Sequence, residues 1–485
     1  MNFKTSLQPQ PQPRSRSRIR HSRDLNQTTS SNLPHDLNQA DSLDYPYSFD
    51  LSSHQGCVNA ICFSNSSQGR WLATAGDDTI VLLWDLFGDF DQITPVAAYD
   101  GPEANIFSVD FTIDGNRILA TGLDSRIYVW DLERSGRSLR PTAQTPKASH
   151  PSRIITPHTT SCRRVACHPR DPDVFLSASE DGTVAMTDLR ESLSTVVQPL
   201  LSTKREYSDV LWNPYTTDLV RPNPMRRSRP EISSIAFDET GQLLAAMMSK
   251  WFPTVWAIDG SEPVAVLKSG RHEGVDGQRW GFRDTCTIKH GSFSNASHSR
   301  TPYFAAGSDD FRCYGWKLPP LDELKERRVR VNNTSSWLTG SGSETTGYGR
   351  NPITIPAQID EPSFILSGHR SIPNSVAFHP IFPFVCTAGV EKVVKIHSAQ
   401  ELGHHRRSRS RVARRTPSEV RKKVSTIDEL GGEAEEDRET LVMFDQLLLR
   451  NELEPEELDW IRFEFGDSGS SESDDGLSES DESEL

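Results

Sequence analysis

Few residues of this 485-residue chain have both the type and the spacing to do chemistry. Cys162 and Cys167-His168 bring two thiols and an imidazole close together. Structural zinc sites take about four such ligands, usually as two pairs, and no second pair follows. The cysteines therefore read as buried strand residues, with no metal expected. Phosphate-cradling glycine loops, G-x-S-x-G, H-E-x-x-H and close carboxylate pairs on one element are not found, and the Gly-Ser-Gly-Ser of residues 340–343 is ordinary linker composition. What remains is His54, Thr74, Asp78 and Trp84. A catalytic reading would need a nucleophile, a base and an orienting group together. A buried imidazole and a buried indole N–H each need a partner, and a satisfied polar network fixes one register. The set reads as structural, in a protein that is not an enzyme and takes no cofactor.

The elements that must hold this set run from His54 to Asp85. Val58, Ala60 and Cys62 alternate, a polar turn passes through Ser66 and Gly69, Trp71 to Ala75 follow, and Asp78 stands six residues before Trp84. This predicts three short antiparallel strands with a buried face. One such sheet cannot bury that face alone, so the unit must recur.

It does recur. Phe107 to Phe111, Arg117 to Gly122, Asp124 and Trp130-Asp131 repeat the order, again with six residues from Asp to Trp. A third unit has His158, Arg164 to Cys167, Phe175 to Ser179, Asp181, and Thr187-Asp188 in the place of Trp-Asp. A fourth, Ile232 to Trp256, has Lys250 where Asp would stand, and a fifth, Cys286 to Trp316, regains it as Asp310. The sixth opens at His369 and closes with Glu391 six residues before His397. Tyr47 to Leu51 reads as a strand before the first His, and no fourth strand follows Ser398, so the N-terminal strand is expected to complete the last unit and remove its edge.

This pattern resembles the WD40 propellers, whose repeat is about 40–45 residues. The resemblance covers roughly residues 47–398. It implies an all-β propeller over residues 45–398, with six recognisable blades and a seventh expected inside an insertion. Polar insertions are expected near 137–152, 207–229 and 323–361, extending loops and leaving the sheets alone.

The flanks have another composition. Apolar residues make up 35% and charged residues 25% of the chain, which points to a core diluted by unfolded sequence. Residues 1–44 read as a disordered basic tail without the apolar stretch of a secretory signal. Residues 399–432 are a basic linker. Within it Arg406, Arg407, Arg409, Arg411, Arg414, Arg415, Arg421, Lys422 and Lys423 form a nuclear-import or nucleic-acid run. No aromatic interleaves it, so any nucleic-acid contact would be weak and nonspecific. Residues 433–465 contain Leu441, Phe444, Leu447 and Leu448 at the spacing of one helix face, and 466–485 form an acidic tail. The net charge of −14 is therefore a sum of opposed patches. No run approaches the roughly 18 apolar residues of a membrane span, and the nucleus or cytoplasm is the expected location.

Function rests on two resemblances. Thr187-Asp188-Leu189-Arg190 resembles the W-D-x-R box of WD40 receptors that dock the propeller adaptor of cullin-4 ubiquitin ligases, with Thr in place of Trp. That resemblance implies adaptor contact by Asp188 and Arg190, whose guanidinium suits carboxylate or carbonyl groups; a plain blade-end salt bridge is the other reading. GCVNAICFS, GDDTIVLLWD, GSDDFRCYGW, GHRSIPNSVAFHP and GVEKVVKIHS resemble the cullin-4-associated factors, nearest their factor 5 and factor 8 branch. This implies a noncatalytic substrate receptor with protein partners, the adaptor and an unidentified substrate. A nuclear scaffold or chromatin-associated binder without ligase association is the alternative.

Overall fold

The computed structural model describes residues 45–132, 148–191, 199–202, 219–220, 231–270, 272–273, 279–295, 301–331, 347–348, 353–400, 402 and 410–411. The termini called tails and the helical segment at 433–465 lie outside these residues, as does residues 418–485 as a unit.

The described strands form a six-bladed β-propeller. Blade 1 is Val58–Phe63, Trp71–Gly76, Val81–Asp85 and Ala97–Tyr99. Blade 2 is Ile106–Phe111, Arg117–Gly122, Ile127–Asp131 and Arg153–Ile155. Blade 3 is Cys162–Cys167, Val174–Ser179, Thr183–Asp188 and Pro199–Ser202. Blade 4 is Glu231–Phe237, Leu243–Ser249, Thr254–Ala257 and Pro263–Leu267. Blade 5 is Ser292–Phe293, Tyr303–Gly307, Cys313–Lys317 and Phe364–Leu366. Blade 6 is Pro373–Phe378, Phe384–Gly389 and Val393–Ser398, completed by Tyr47–Ser52. That closing strand pairs antiparallel over its whole length, from Tyr47 opposite Ser398 to Ser52 opposite Val393. Ser410–Arg411 of the basic run pairs along its other edge.

The first strand of blades 1, 2, 3, 4 and 6 carries an irregularity at the same place, after Val58, Ile106, Cys162, Ile232 and Pro373. Opposite it the second strand ends in glycine in blades 1 and 2, and the reason is close approach. A Cβ on Gly76 would stand 1.8 Å from the Cys57 carbonyl oxygen, and one on Gly122 1.9 Å from that of Asn105. Backbone cannot give way as a side-chain tip can. Gly122→Ala should therefore cost about 1–3 kcal/mol by overpacking, read as a lower urea midpoint at unchanged slope; a midpoint equal to wild type would remove this account of the glycine.

Neighbouring blades share their cores. Leu83 and Ala73 of blade 1 pack with Val109, Ile118 and Trp130 of blade 2. Val129 of blade 2 packs with Val165 and Phe175 of blade 3. Val255 of blade 4 meets Phe304 and Trp316 of blade 5, Tyr303 of blade 5 meets Val376 of blade 6, and Ile396 of blade 6 meets Leu72 and Trp84 of blade 1. Burying a side chain of this size contributes about 1.5–3 kcal/mol, so these faces hold the ring. Between blades 3 and 4 the pattern breaks among the described residues: Leu176, Ala178 and Val184 form one small cluster, and Ala246, Met248 and Trp256 another.

Two expectations about the insertions are corrected. The segment 323–361 is more than loop. Helix α1, Leu321–Arg327, buries Leu324 in the core shared by blades 4 and 5. Val329–Val331, Gly347–Tyr348 and Ile353–Ile355 join Leu219–Val220 in a separate four-stranded sheet, and Ala357–Ile359 adds in parallel to the outer strand of blade 4. The apolar alternation at Val329/Val331 and Ile353/Ile355 went unweighed beside the polar residues around it, while the outer strand of blade 4 offered unpaired backbone. This sheet, drawn from three separated stretches, takes the place of the seventh blade expected in an insertion; the described residues contain six blades. No helix among the described residues is long and apolar enough to cross a membrane.

Candidate functional site

In blade 1 the four singled-out residues meet. Trp84 Nε1 donates to Thr74 Oγ1 at 2.9 Å, and Thr74 Oγ1 lies 2.7 Å from His54 Nε2. His54 Nδ1 lies 2.7 Å from Asp78 Oδ2, which also accepts from the Gln55 amide at 3.0 Å. The network closes with His54 protonated on Nδ1: indole to hydroxyl, hydroxyl to imidazole, imidazole to carboxylate. Burial alone would raise the Asp78 pKa, but the bond from His54 and the backbone donors outweigh it and hold it low. His54, Thr74 and Trp84 are buried. The set ties the loop before the first strand, the second strand and the third strand of the blade together.

The other blades solve the same problem differently. In blade 3 His158 Nε2 lies 2.8 Å from Ser177 Oγ and Nδ1 2.9 Å from Thr183 Oγ1, with Asp181 at 3.3 Å. Burial pushes the His158 pKa down. Thr187, in the place of Trp, is buried and its Oγ1 has no hydrogen bond. In blade 6 the Thr387 hydroxyl lies 2.7 Å from His369 Nε2 and 2.9 Å from His397 Nε2, so His397 does the indole's work. Blades 2 and 5 lack the histidine. There Asp124 accepts from Tyr128 Oη at 2.7 Å and Asp310 from Tyr314 Oη, while Trp130 and Trp316 donate to the Asp100 and Lys268 carbonyls. The structure thus does not bring Asp124 to Trp130 or Asp310 to Trp316. Tyr128 and Tyr314 went unnoticed, although each stands four residues after its Asp, the position that Leu82 holds in blade 1. In blade 4 Lys250 takes a left-handed φ of 62°, as Thr79, Ser125 and Phe311 do one residue past their Asp, so its turn is displaced and Trp256 packs with Ala246 and Met248.

Missed altogether was a buried ion cluster in blade 5. Lys289, fully buried, donates to Asp309 and lies 3.4 Å from Asp284 Oδ1, with Thr287 O and Oγ1 each at 3.2 Å. Asp284 and Asp309 are buried as well. Nothing in the spacing of these residues marks them.

The end of blade 3 is the exposed constellation. Arg190 Nε donates to Asp188 Oδ1 at 2.8 Å and Nη2 to Asp188 Oδ2 at 2.5 Å, a two-pronged fork; Nη2 also reaches Asp171 at 3.2 Å. The Arg190 backbone N–H bonds Asp188 as well, and Leu189 is buried beneath. Hydrogen bonds from Arg190 hold the Asp188 pKa low. In blade 1 the corresponding Asp85 is instead held by Arg70, the residue before the second strand. Blade 3 has Asp173 at that position, and Asp173 is taken by Arg117 of blade 2. Asp188 is left to an arginine from beyond its own strand. The Arg190 side chain is 58% exposed, so its guanidinium is both oriented and open to a partner.

Of the basic run, Arg411 lies in the short strand beside Tyr47; Arg406, Arg407, Arg409, Arg414, Arg415, Arg421, Lys422 and Lys423 lie outside the described residues. Cys162 is buried, and the His168 ring caps the following turn by accepting from the Arg170 and Asp171 amides. Among the described residues no group of three or more His, Cys, Asp or Glu side chains is placed to hold a metal ion.

Residues 46–85, 93–131, 149–188 and 360–398 match the repeat family described as WD domain, G-beta repeat. Blade 4 and the first three strands of blade 5 fall between the matched segments. DDB1- and CUL4-associated factor 5 of Mus musculus and of Homo sapiens are each 26% identical to the chain over 374 residues, covering 73% of this chain and 34% of the relative. DDB1- and CUL4-associated factor 6 of Mus musculus is 28% identical over 142 residues, 29% of this chain and 14% of the relative. The chain thus spans about a third of the length of the factor 5 relatives it matches.

Proposed function

We propose that this chain, four of whose repeats match the WD domain, G-beta repeat and which is similar to the DDB1- and CUL4-associated factors, is a noncatalytic substrate receptor of a cullin-4 ubiquitin ligase. In this reading the end of blade 3 meets the ligase's adaptor and loops elsewhere select the target. Rate enhancement comes from proximity, by holding a substrate lysine near a ubiquitin-carrying enzyme recruited elsewhere in the assembly.

The observation that carries the reading is Arg190. Its planar fork is held by Asp188 and stays more than half exposed. A pre-oriented guanidinium loses less freedom on docking than a mobile one. Trp in place of Thr187 is not needed for that, since the Arg190 fork rests on Asp188 and Asp171.

The experiment is affinity purification of the full chain from cells, read for adaptor and cullin-4. Arg190→Ala should abolish their recovery while the unfolding midpoint stays at the wild-type value, because the side chain is exposed. Arg190→Lys should recover only a small part, since an ammonium cannot reproduce the two-pronged geometry. Adaptor missing from wild-type purifications, or recovered equally with Arg190→Ala, would sink the assignment to this residue.

A further inference from the structure

Four residues before the end of each first strand stand Asn59, Phe107, Arg163, Ser233, Lys289 and Asn374. In blades 1, 3 and 5 this residue bonds the acidic residue that precedes the turn Asp: Asn59 Nδ2 donates to Asp77 Oδ1 at 2.6 Å, Arg163 Nε to Glu180 Oε1 at 2.5 Å, and Lys289 Nζ to Asp309. Blade 2 breaks the pattern at both positions, with Phe107 and Leu123. Leu123 is 49% exposed and Phe107 is half-buried. The Leu123 amide donates to the Asn105 carbonyl at 2.9 Å, which sets it beside the start of the strand that carries Phe107.

Charge brackets this apolar spot from both sides. Asn59, which bonds Asp77, also donates to the Ile106 carbonyl at 3.3 Å and so ties that carboxylate to blade 2. From blade 3 the Arg163 guanidinium lies 4.4 Å from the centroid of the Phe107 ring, held there by Glu180. Asp124 follows Leu123 and accepts from the Glu103 amide at 3.1 Å. Arg126 and Arg163 neutralise Glu103 and Glu180, whereas Asp77 and Asp124 are held by the uncharged donors Asn59 and Tyr128. The frame around the spot is therefore negative. All the loops at this end of blades 1 to 3 lie among the described residues.

An exposed apolar spot in a negative frame is matched by an apolar side chain flanked by positive ones. We propose that Phe107 and Leu123 seat an extended peptide segment of a partner protein in which a leucine-sized side chain stands between lysines or arginines. The apolar contact supplies affinity, and the carboxylates set orientation and exclude acidic sequences. The third strands run from this end of the blades to the opposite rim, for Leu123 precedes Ile127–Asp131 and Arg190 follows Thr183–Asp188. Strands of five or six residues put about 17–20 Å between the two ends. The site does not depend on the adaptor reading, and a peptide held here leaves Arg190 open.

The test is fluorescence anisotropy with the full chain and a short labelled peptide containing Lys-Arg-Leu-Arg-Lys. Saturable binding is expected, weakened about ten- to a hundredfold by Leu123→Ser and by exchange of the peptide's leucine for glycine, since each removes one leucine contact. Leu123→Lys, which adds a positive charge, should weaken it further. A peptide with glutamate at every basic position should not bind, and added salt should weaken the basic one. Ile154→Ser is the control, at a 45% exposed position on the outer strand of the same blade, and should bind as wild type does. Equal binding by wild type and both Leu123 variants, equal binding of acidic and basic peptides, or no binding at all would overturn the proposal. So would a dimer of the chain that Leu123→Ser separates, because a second copy would then be the occupant.

Discussion

Thr74→Val should destabilise the chain by about 2–5 kcal/mol, as an early loss in urea unfolding at unchanged slope. The substitution keeps the shape and the β-branch and removes one hydroxyl. That hydroxyl accepts from the Trp84 indole at 2.9 Å and sits 2.7 Å from His54 Nε2. Both partners are buried, so the Trp84 Nε1–H and the His54 Nε2 each lose their hydrogen-bond partner in a place water does not reach, and an orphaned buried group costs about 1–3 kcal/mol. Thr187→Val is the matched control. It stands where the blade 3 Trp would be, is buried as well, and its hydroxyl has no hydrogen bond. Removing that hydroxyl should leave stability unchanged or raise it by up to about 1 kcal/mol. Equal losses in the two variants would mean that general packing, and not the hydrogen-bonded set, sustains blade 1.

The contrast between these threonines marks how far the sequence could be read. His54, Thr74, Asp78 and Trp84 lie within one unit, where strand length and the six-residue step from Asp78 to Trp84 fix their meeting, so local spacing suffices. The closing strand was legible for the same reason: Tyr47 to Leu51 alternates, and a last unit lacking a fourth strand leaves an edge to fill. Other features depend on encounters between distant segments. Asp188 turns to Arg190 because blade 3 carries Asp173 where blade 1 has Arg70, and Asp173 is itself claimed by Arg117 of the preceding blade. The sheet built from Leu219–Val220 and the 323–361 insertion pairs residues more than a hundred positions apart, in strands of two or three residues that carry almost no periodic signal. Six blades could be counted from the recurring six-residue spacing between turn and strand end, but whether an insertion adds another is decided by pairing of this non-local kind.

The buried lysine of blade 5 is the extreme case of such invisibility and predicts the largest pH-dependent effect. Lys289→Met keeps the apolar stem in a fully buried place and removes the charge that faces both Asp309 and Asp284. Breaking a buried ion cluster by deleting one partner costs about 3–5 kcal/mol, because the remaining charges lie uncompensated in the interior. In the wild-type chain burial already pushes the Asp284 pKa up to about 7 against the pull of Lys289. For Lys289 itself burial works downward, and the two carboxylates outweigh it and hold the pKa above the ordinary lysine value. Between an unfolded carboxyl near 4 and a folded one near 7 the native state binds the extra proton, so its contribution falls as pH rises through that window. Without the ammonium, protonation is favoured further, and the interval in which the folded state holds more protons widens upward. The deficit of Lys289→Met relative to wild type should therefore be smallest near pH 5 and grow towards pH 8, measured as unfolding free energy across that range. A deficit independent of pH would show that Lys289 acts by filling space, since lost packing does not titrate, and the two aspartates would then owe their place in blade 5 to something other than this cation.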